Sequence, residues 1–150
     1  MAARPHQVNL NLAISDAGTT TKLVEFEDDL RDSTDANLLS QNGEGRNGEK
    51  SVEVGTITLA ELCKMYPKAP KLMNVETAGQ GLAVLKTNNW DDEKCVPEVI
   101  SAGKTYNNDK SAEQEAFLKE KGYVLQIKPE DKSIFLHTDK KAFYETRYPL

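Results

Sequence analysis

Tyr123-Val124-Leu125-Gln126-Ile127, followed across Pro129-Glu130-Asp131-Lys132 by Ser133-Ile134-Phe135-Leu136-His137, is the stretch on which the fold turns. Both runs are rich in β-branched and aromatic residues, and a proline early in the connection pre-sets a turn, so the pair predicts an antiparallel hairpin. Just upstream, Ser111-Ala112-Glu113-Gln114 has the spacing of a capping box and predicts a helix through Phe117 and Leu118 that Gly122 closes. Glu113 and Glu115 stand in its first turn and Lys119 and Lys121 in its last, as the helix dipole favours.

Toward the amino terminus, Val8-Asn9-Leu10-Asn11-Leu12-Ala13-Ile14 alternates apolar and polar and predicts a half-buried strand. Turn chemistry in Ser15-Asp16-Ala17-Gly18 and a second short strand, Lys22-Leu23-Val24-Glu25-Phe26, predict an amino-terminal hairpin. Val52 to Ile57 reads as a strand, and Thr58 with Glu61 three residues on is a capping box opening a helix. Its apolar stripe, Leu59, Leu62, Cys63 and Tyr66, should face the core, and Pro67 ends it. Pro67, Lys68, Pro70 and Lys71 describe an extended connection. Leu82-Ala83-Val84-Leu85 is short enough for a buried strand. Between Asp91 and Gly103, helical spacing of Val96, Val99 and Ile100 conflicts with Pro97, and helix and non-helix stay open.

Strands and helices therefore alternate only in part. The expected class is α+β: a mostly antiparallel sheet of amino- and carboxyl-terminal hairpins plus one or two further strands, packed by two helices. With 150 residues the chain suits a single domain, residues 1–150, around one core. A long polar loop at about 27–50, rich in Asp, Ser, Asn and Gly, interrupts it. Connections of that length carry function or stay mobile, which makes this loop a candidate partner contact.

The formal charge is −5, and lysines and arginines are scattered, although folding can gather Lys64, Lys68 and Lys71 onto one face. An acidic chain without a basic patch argues against nucleic acid as the main ligand and suits a basic protein partner. No run approaches the ~20 apolar residues that cross a bilayer, and Met1 to His6 lacks the apolar core of a secretory signal, so the expected location is cytoplasmic with no membrane contact. Cys63 and Cys95 stand 32 positions apart without Cys-x-x-Cys spacing, and the expectation is two free buried thiols.

For chemistry, Asp16-Ala17-Gly18-Thr19-Thr20-Thr21-Lys22 places an acid, a glycine and hydroxyls at a turn between strands. Over about fifteen residues it resembles the first phosphate loop of the superfamily of actin, sugar kinases and heat-shock ATPases. The resemblance implies that Asp16 orients a metal-bound water while the amides around Gly18, Thr19 and Thr20, with Lys22, hold phosphate. This chain departs from that superfamily in being too short for two lobes and in lacking a second phosphate loop. Gly43 to Ser51 approaches P-loop spacing, but Glu49 stands between the second glycine and Lys50, and a strand follows where a helix should open.

Of the two histidines, His6 and His137, the latter lies beside Asp139 and would serve as a general base if the two met. The acidic clusters Glu25-Glu27-Asp28-Asp29 and Asp91-Asp92-Glu93 lack the alternating ligands and glycine of a calcium loop, so no metal and no cofactor is expected. Trp90 beside Asp91 and Asp92 has the composition of a contact for a basic partner, with a half-buried core tryptophan as the other reading. The aromatic tail Phe143 to Leu150, with Tyr144, Arg147 and Tyr148, either covers the domain's own sheet or docks on another subunit. No reactive set is complete, which favours a non-enzymatic binding or assembly protein acting through protein partners or homo-oligomer contacts. The alternative is a small nucleotide- or phosphate-binding protein or enzyme using the Asp16–Lys22 turn or His137.

Overall fold

Alternation and capping place most elements where the chain forms them in a computed structural model, which describes residues 8–16, 19–25, 50–66, 68–77, 79–103 and 108–140. In chain order these are β1 (Leu12–Ile14), β2 (Thr20–Glu25), β3 (Lys50–Ile57), α1 (Leu59–Lys64), β4 (Leu72–Val75), α2 (Gly81–Lys86), a 3-10 turn (Glu93–Cys95), β5 (Val99–Gly103), α3 (Asn108–Glu120), β6 (Tyr123–Ile127) and β7 (Lys132–His137). The strands form two sheets, ordered β1-β3-β2 and β4-β5-β7-β6. The β1–β3 and β4–β5 pairs are parallel and the others antiparallel, so the fold is α+β with mostly antiparallel pairing, as expected.

The carboxyl hairpin pairs Tyr123 with His137 and Leu125 with Phe135, with a bulge before Ile127. The amino-terminal strands do not form a hairpin. β3 lies between them, parallel to β1 through Leu12↔Gly55 and Ile14↔Ile57, and antiparallel to β2 from Thr20↔Gly55 to Glu25↔Lys50. A turn signal between two strands fixes that the chain reverses, and says nothing about a third strand entering the gap.

Residues 81–86 are a helix and not the expected strand. Val84 and Leu85 are buried while Ala83 and Lys86 are exposed, a one-sided pattern that a short apolar run conceals in sequence. Gly81 faces α3 so closely that a Cβ there would collide with the Gln114 side chain. Between 91 and 103 the open choice resolves into the 3-10 turn, where the Asp92 carboxylate accepts from the Lys94 N–H at 3.0 Å, and then β5 after Pro97. The expected box at Ser111 is not a helix start, because α3 begins at Asn108 and Ser111 falls inside its first turns. The box opening α1 is real: Thr58 Oγ1 accepts from the Glu61 N–H at 3.1 Å, and the Glu61 carboxylate accepts from the Thr58 N–H at 2.9 Å.

Register decides which sheet face is buried. Met73, Ile100 and Phe135 stand in one cross-strand row, with Val75 opposite Ala102 in another on the same face. Val84, Leu85 and Leu118 from the helices, with Leu59 and Tyr123, complete the core. Trp90 is half-buried against it, its indole N–H donating to the Leu85 carbonyl at 3.0 Å and its ring edge-on to Phe117 and Tyr123. The Tyr123 hydroxyl donates to the buried Pro97 carbonyl at 2.6 Å, and burial pushes this phenol's pKa up. Gly122, at φ 87°, turns α3 into β6 through a conformation that costs any other residue.

The cysteines are not free thiols. Cys63 and Cys95 are bonded, with Cα atoms 5.5 Å apart, so the bridge ties the end of α1 to the 3-10 turn. A separation of 32 residues without a motif left this pairing invisible in sequence.

Candidate functional site

The stripe on α1 packs on the core at Leu59 and in part at Leu62, and leaves it beyond. Leu59 is buried, and its helix turn is pinned to the end of α2: the Leu59 N–H donates to Thr87 Oγ1 at 3.0 Å and the Ala60 N–H to the Thr87 carbonyl at 3.2 Å. Leu62 and Cys63 are half-buried, and Tyr66 is 44% exposed. The distal half of the stripe thus lines a groove instead of a core.

Across the groove runs β4. Among the described residues it is an edge strand, hydrogen-bonded only to β5. The Val99 N–H donates to the Lys71 carbonyl at 2.9 Å with Leu72 opposite Val99, and in a parallel ladder this turns the N–H and C=O of Leu72 and Asn74 to the outer side. Consecutive residues Leu72 to Thr77, from both faces of the strand, line the groove, so it follows the strand's edge. Ile14 of β1 and Val84 of α2 also line it, together with the Cys63–Cys95 bridge and Asn88. Asn88 Nδ2 donates to the Cys95 carbonyl at 2.8 Å and holds that wall in place.

The groove encloses about 610 Å³ and is walled mainly by apolar side chains, within the usual range for a binding cleft. Its charges are unequal along its length. Lys68 and Lys94 line it, and Lys71 directly precedes β4. None of these three lysines forms a salt bridge among the described residues. After β4 stands Glu76, whose carboxylate meets Lys132 Nζ at 3.5 Å. A partner entering the groove therefore meets an apolar floor, a row of backbone donors and acceptors, and lysines that form no salt bridge among the described residues.

The residues singled out in sequence lie elsewhere. Asp16, Thr19, Thr20 and Lys22 are exposed around the β1–β2 connection, and Gly18 lies outside the described residues. The backbone on both sides of that turn is bonded to β3, Ser15 N–H to the Ile57 carbonyl at 3.1 Å and Thr56 N–H to the Thr19 carbonyl at 3.0 Å. Trp90 packs against the core, Asp91 is exposed, and Asp92 caps the 3-10 turn. Tyr144, Arg147 and Tyr148 lie outside the described residues, as does the loop at 27–50 apart from Lys50. His137 does meet Asp139, Nδ1 to Oδ2 at 3.7 Å, but its ring packs edge-on against Tyr123 at 5.0 Å, and the carboxylate is largely in solvent. Among the described residues no three His, Cys, Asp or Glu side chains converge as metal ligands. No described helix is long and apolar enough to cross a membrane.

No protein-family model, no curated protein and no solved structure matches this chain.

Leu72 and Lys94 are groove residues that carried no expectation in sequence, whereas Tyr66 was expected in a core stripe and Lys68 among cations that folding could gather. One signal was present: a stripe that reaches Tyr66 just before two prolines ends where the chain leaves the core. The edge position of β4 and the cystine wall come from tertiary pairing alone.

Proposed function

We propose that this protein is a non-enzymatic binding protein that holds a protein partner in the groove between α1 and β4. The observation that carries this reading is the groove itself: an apolar cleft whose long side is an open strand edge. Apolar side chains supply affinity by leaving water, at roughly 25 cal/mol per Å² buried. Exposed Tyr66 and Leu72, the latter at 60%, are the large apolar side chains best placed to anchor a partner. A cytoplasmic setting, which the sequence suggests, asks the Cys63–Cys95 bridge to form against a reducing thiol pool, so an oxidising compartment suits the bridged form better. Alkylating the protein at harvest and counting blocked thiols decides between the two settings.

The functional test is selection of random peptides displayed on phage. Sequences recovered on the wild-type protein should lose binding to Tyr66→Asp and to Leu72→Asp, two exposed positions, with circular dichroism checking that each variant is folded. Recovered sequences that bind both variants as well as wild type, or a selection that returns none, would remove the groove as the contact surface.

A further inference from the structure

We propose that the occupant of the groove is an extended peptide segment that adds to the outer edge of β4 as a further strand, alternating apolar side chains and carrying acidic residues where it meets the lysines. This rests on the groove being the contact surface proposed above, and goes beyond it in naming the conformation and charge of the partner.

Strand addition follows from what the edge offers. Leu72 and Asn74 present N–H and C=O groups outward, spaced for a ladder, and β4 carries no bulge. The opposite edge of the same sheet, β6, is bulged between Leu125 and Ile127, which disrupts pairing there. A strand laid on β4 would also send alternate side chains toward the apolar wall of Leu62 and Tyr66, so the ladder gives affinity and the groove gives selectivity. A helix in the same place would cover the apolar wall and leave the edge amides without partners.

Charge selects the chemistry of the segment. Lys68 and Lys94 line the groove and Lys71 precedes the strand, whereas Glu76 is already answered by Lys132. An acidic residue in the occupant gains from these cations. A second copy of this chain, paired antiparallel on β4, would set each lysine end beside the other's Glu76, whose charge Lys132 already answers, so it gains less from these cations than an acidic segment does.

The probe is the blocked peptide Ac-Asp-Leu-Thr-Val-Thr-Ile-Glu-NH2, followed by nitrogen-15 amide and methyl spectra of the full protein. Binding should shift the Leu72 and Asn74 amides together with the Leu62 and Ile14 methyls. Two N-methylated forms, one blocked at the Leu, Val and Ile amides and the other at the two Thr amides, should differ by at least about tenfold, because only one set faces β4. Ac-Lys-Leu-Thr-Val-Thr-Ile-Lys-NH2 should bind more weakly than the acidic peptide, and Lys68→Glu combined with Lys94→Glu should invert that order. Equal affinity of the two N-methylated forms overturns strand addition while leaving the groove occupied. Absence of any shift with the acidic peptide also overturns it, and reaches the functional reading only if the phage selection is empty as well. A dimer of the free protein in sedimentation that Leu72→Asp abolishes assigns the edge to a second copy and overturns the proposal too.

Discussion

Breaking the Cys63–Cys95 bridge should cost this protein several kcal/mol and alter the groove at the same time. The bridge closes a loop with a sequence separation of 32. The loop-closure relation, with 2.1 cal/mol/K plus 1.5R ln n removed from the unfolded chain, gives about 3.7 kcal/mol at 25 °C. Set against the ~5–15 kcal/mol of a typical domain, that is a quarter or more of the stability. With a urea slope of about 2 kcal/mol/M, the midpoint should fall by nearly 2 M on reduction. Reducing the wild-type protein is a better perturbation than Cys95→Ser, because Cys95 is 3% exposed and a serine hydroxyl would be buried there. The assay is a pair of urea titrations followed by circular dichroism, with and without a phosphine reductant, with thiols counted at each end. Coincident curves in fully reduced and fully oxidised protein would refute the placement of the bridge across folded elements.

Thr58→Ala should cost about 1 kcal/mol in urea titrations by uncapping α1. The Thr58 backbone N–H, and secondarily its hydroxyl, hold the Glu61 carboxyl below its ordinary pKa of 4.5. This stabilisation is present above that value and lost as pH falls through the lower folded-state pKa; Thr58→Ala keeps the backbone N–H and removes the hydroxyl, so it should flatten the acid limb of stability against pH only in part. Gly81→Ala gains helix propensity yet should destabilise by about 1 kcal/mol, the low end of overpacking, because its Cβ collides with the tip of the buried but flexible Gln114 side chain. Melting of Gly81→Ala beside Gly81→Ala/Gln114→Ala checks this, and the second change should restore part of the loss. Tyr123→Phe leaves the buried Pro97 carbonyl without its donor and should cost about 1–3 kcal/mol in the same titration, with no change in thiol count.

Local signals carried the carboxyl hairpin and the α1 capping box. Each depends on residues a few positions apart: apolar and aromatic residues in Ser133 to His137, Thr58 with Glu61, and turn chemistry in Pro129 to Lys132. Apart from the box at Ser111, which lies inside a helix that starts at Asn108, the misses depend on distant residues. Leu82 to Leu85 satisfies strand and helix alike until Gln114 and Leu118 arrive on one side of it. Ile14 and Leu23 flank a turn that predicts a hairpin, yet Val52 to Ile57 enters between the two strands. The groove was the least legible feature, since an edge is a property of sheet order and Tyr66 looks like any other member of a core stripe. His137 and Asp139 were legible as a pair, and the structure brings them within 3.7 Å without placing them on the groove.

Amide hydrogen exchange along β4, measured residue by residue on the free protein and on its complex with a phage-selected peptide, tests the groove assignment most directly. Leu72 and Asn74 should exchange quickly when free and become protected on binding, while Met73, bonded to β5, is slow throughout. Protection of Leu72 and Asn74 in the free protein, or protection on binding confined to another surface such as the Asp16–Lys22 turn, would contradict it.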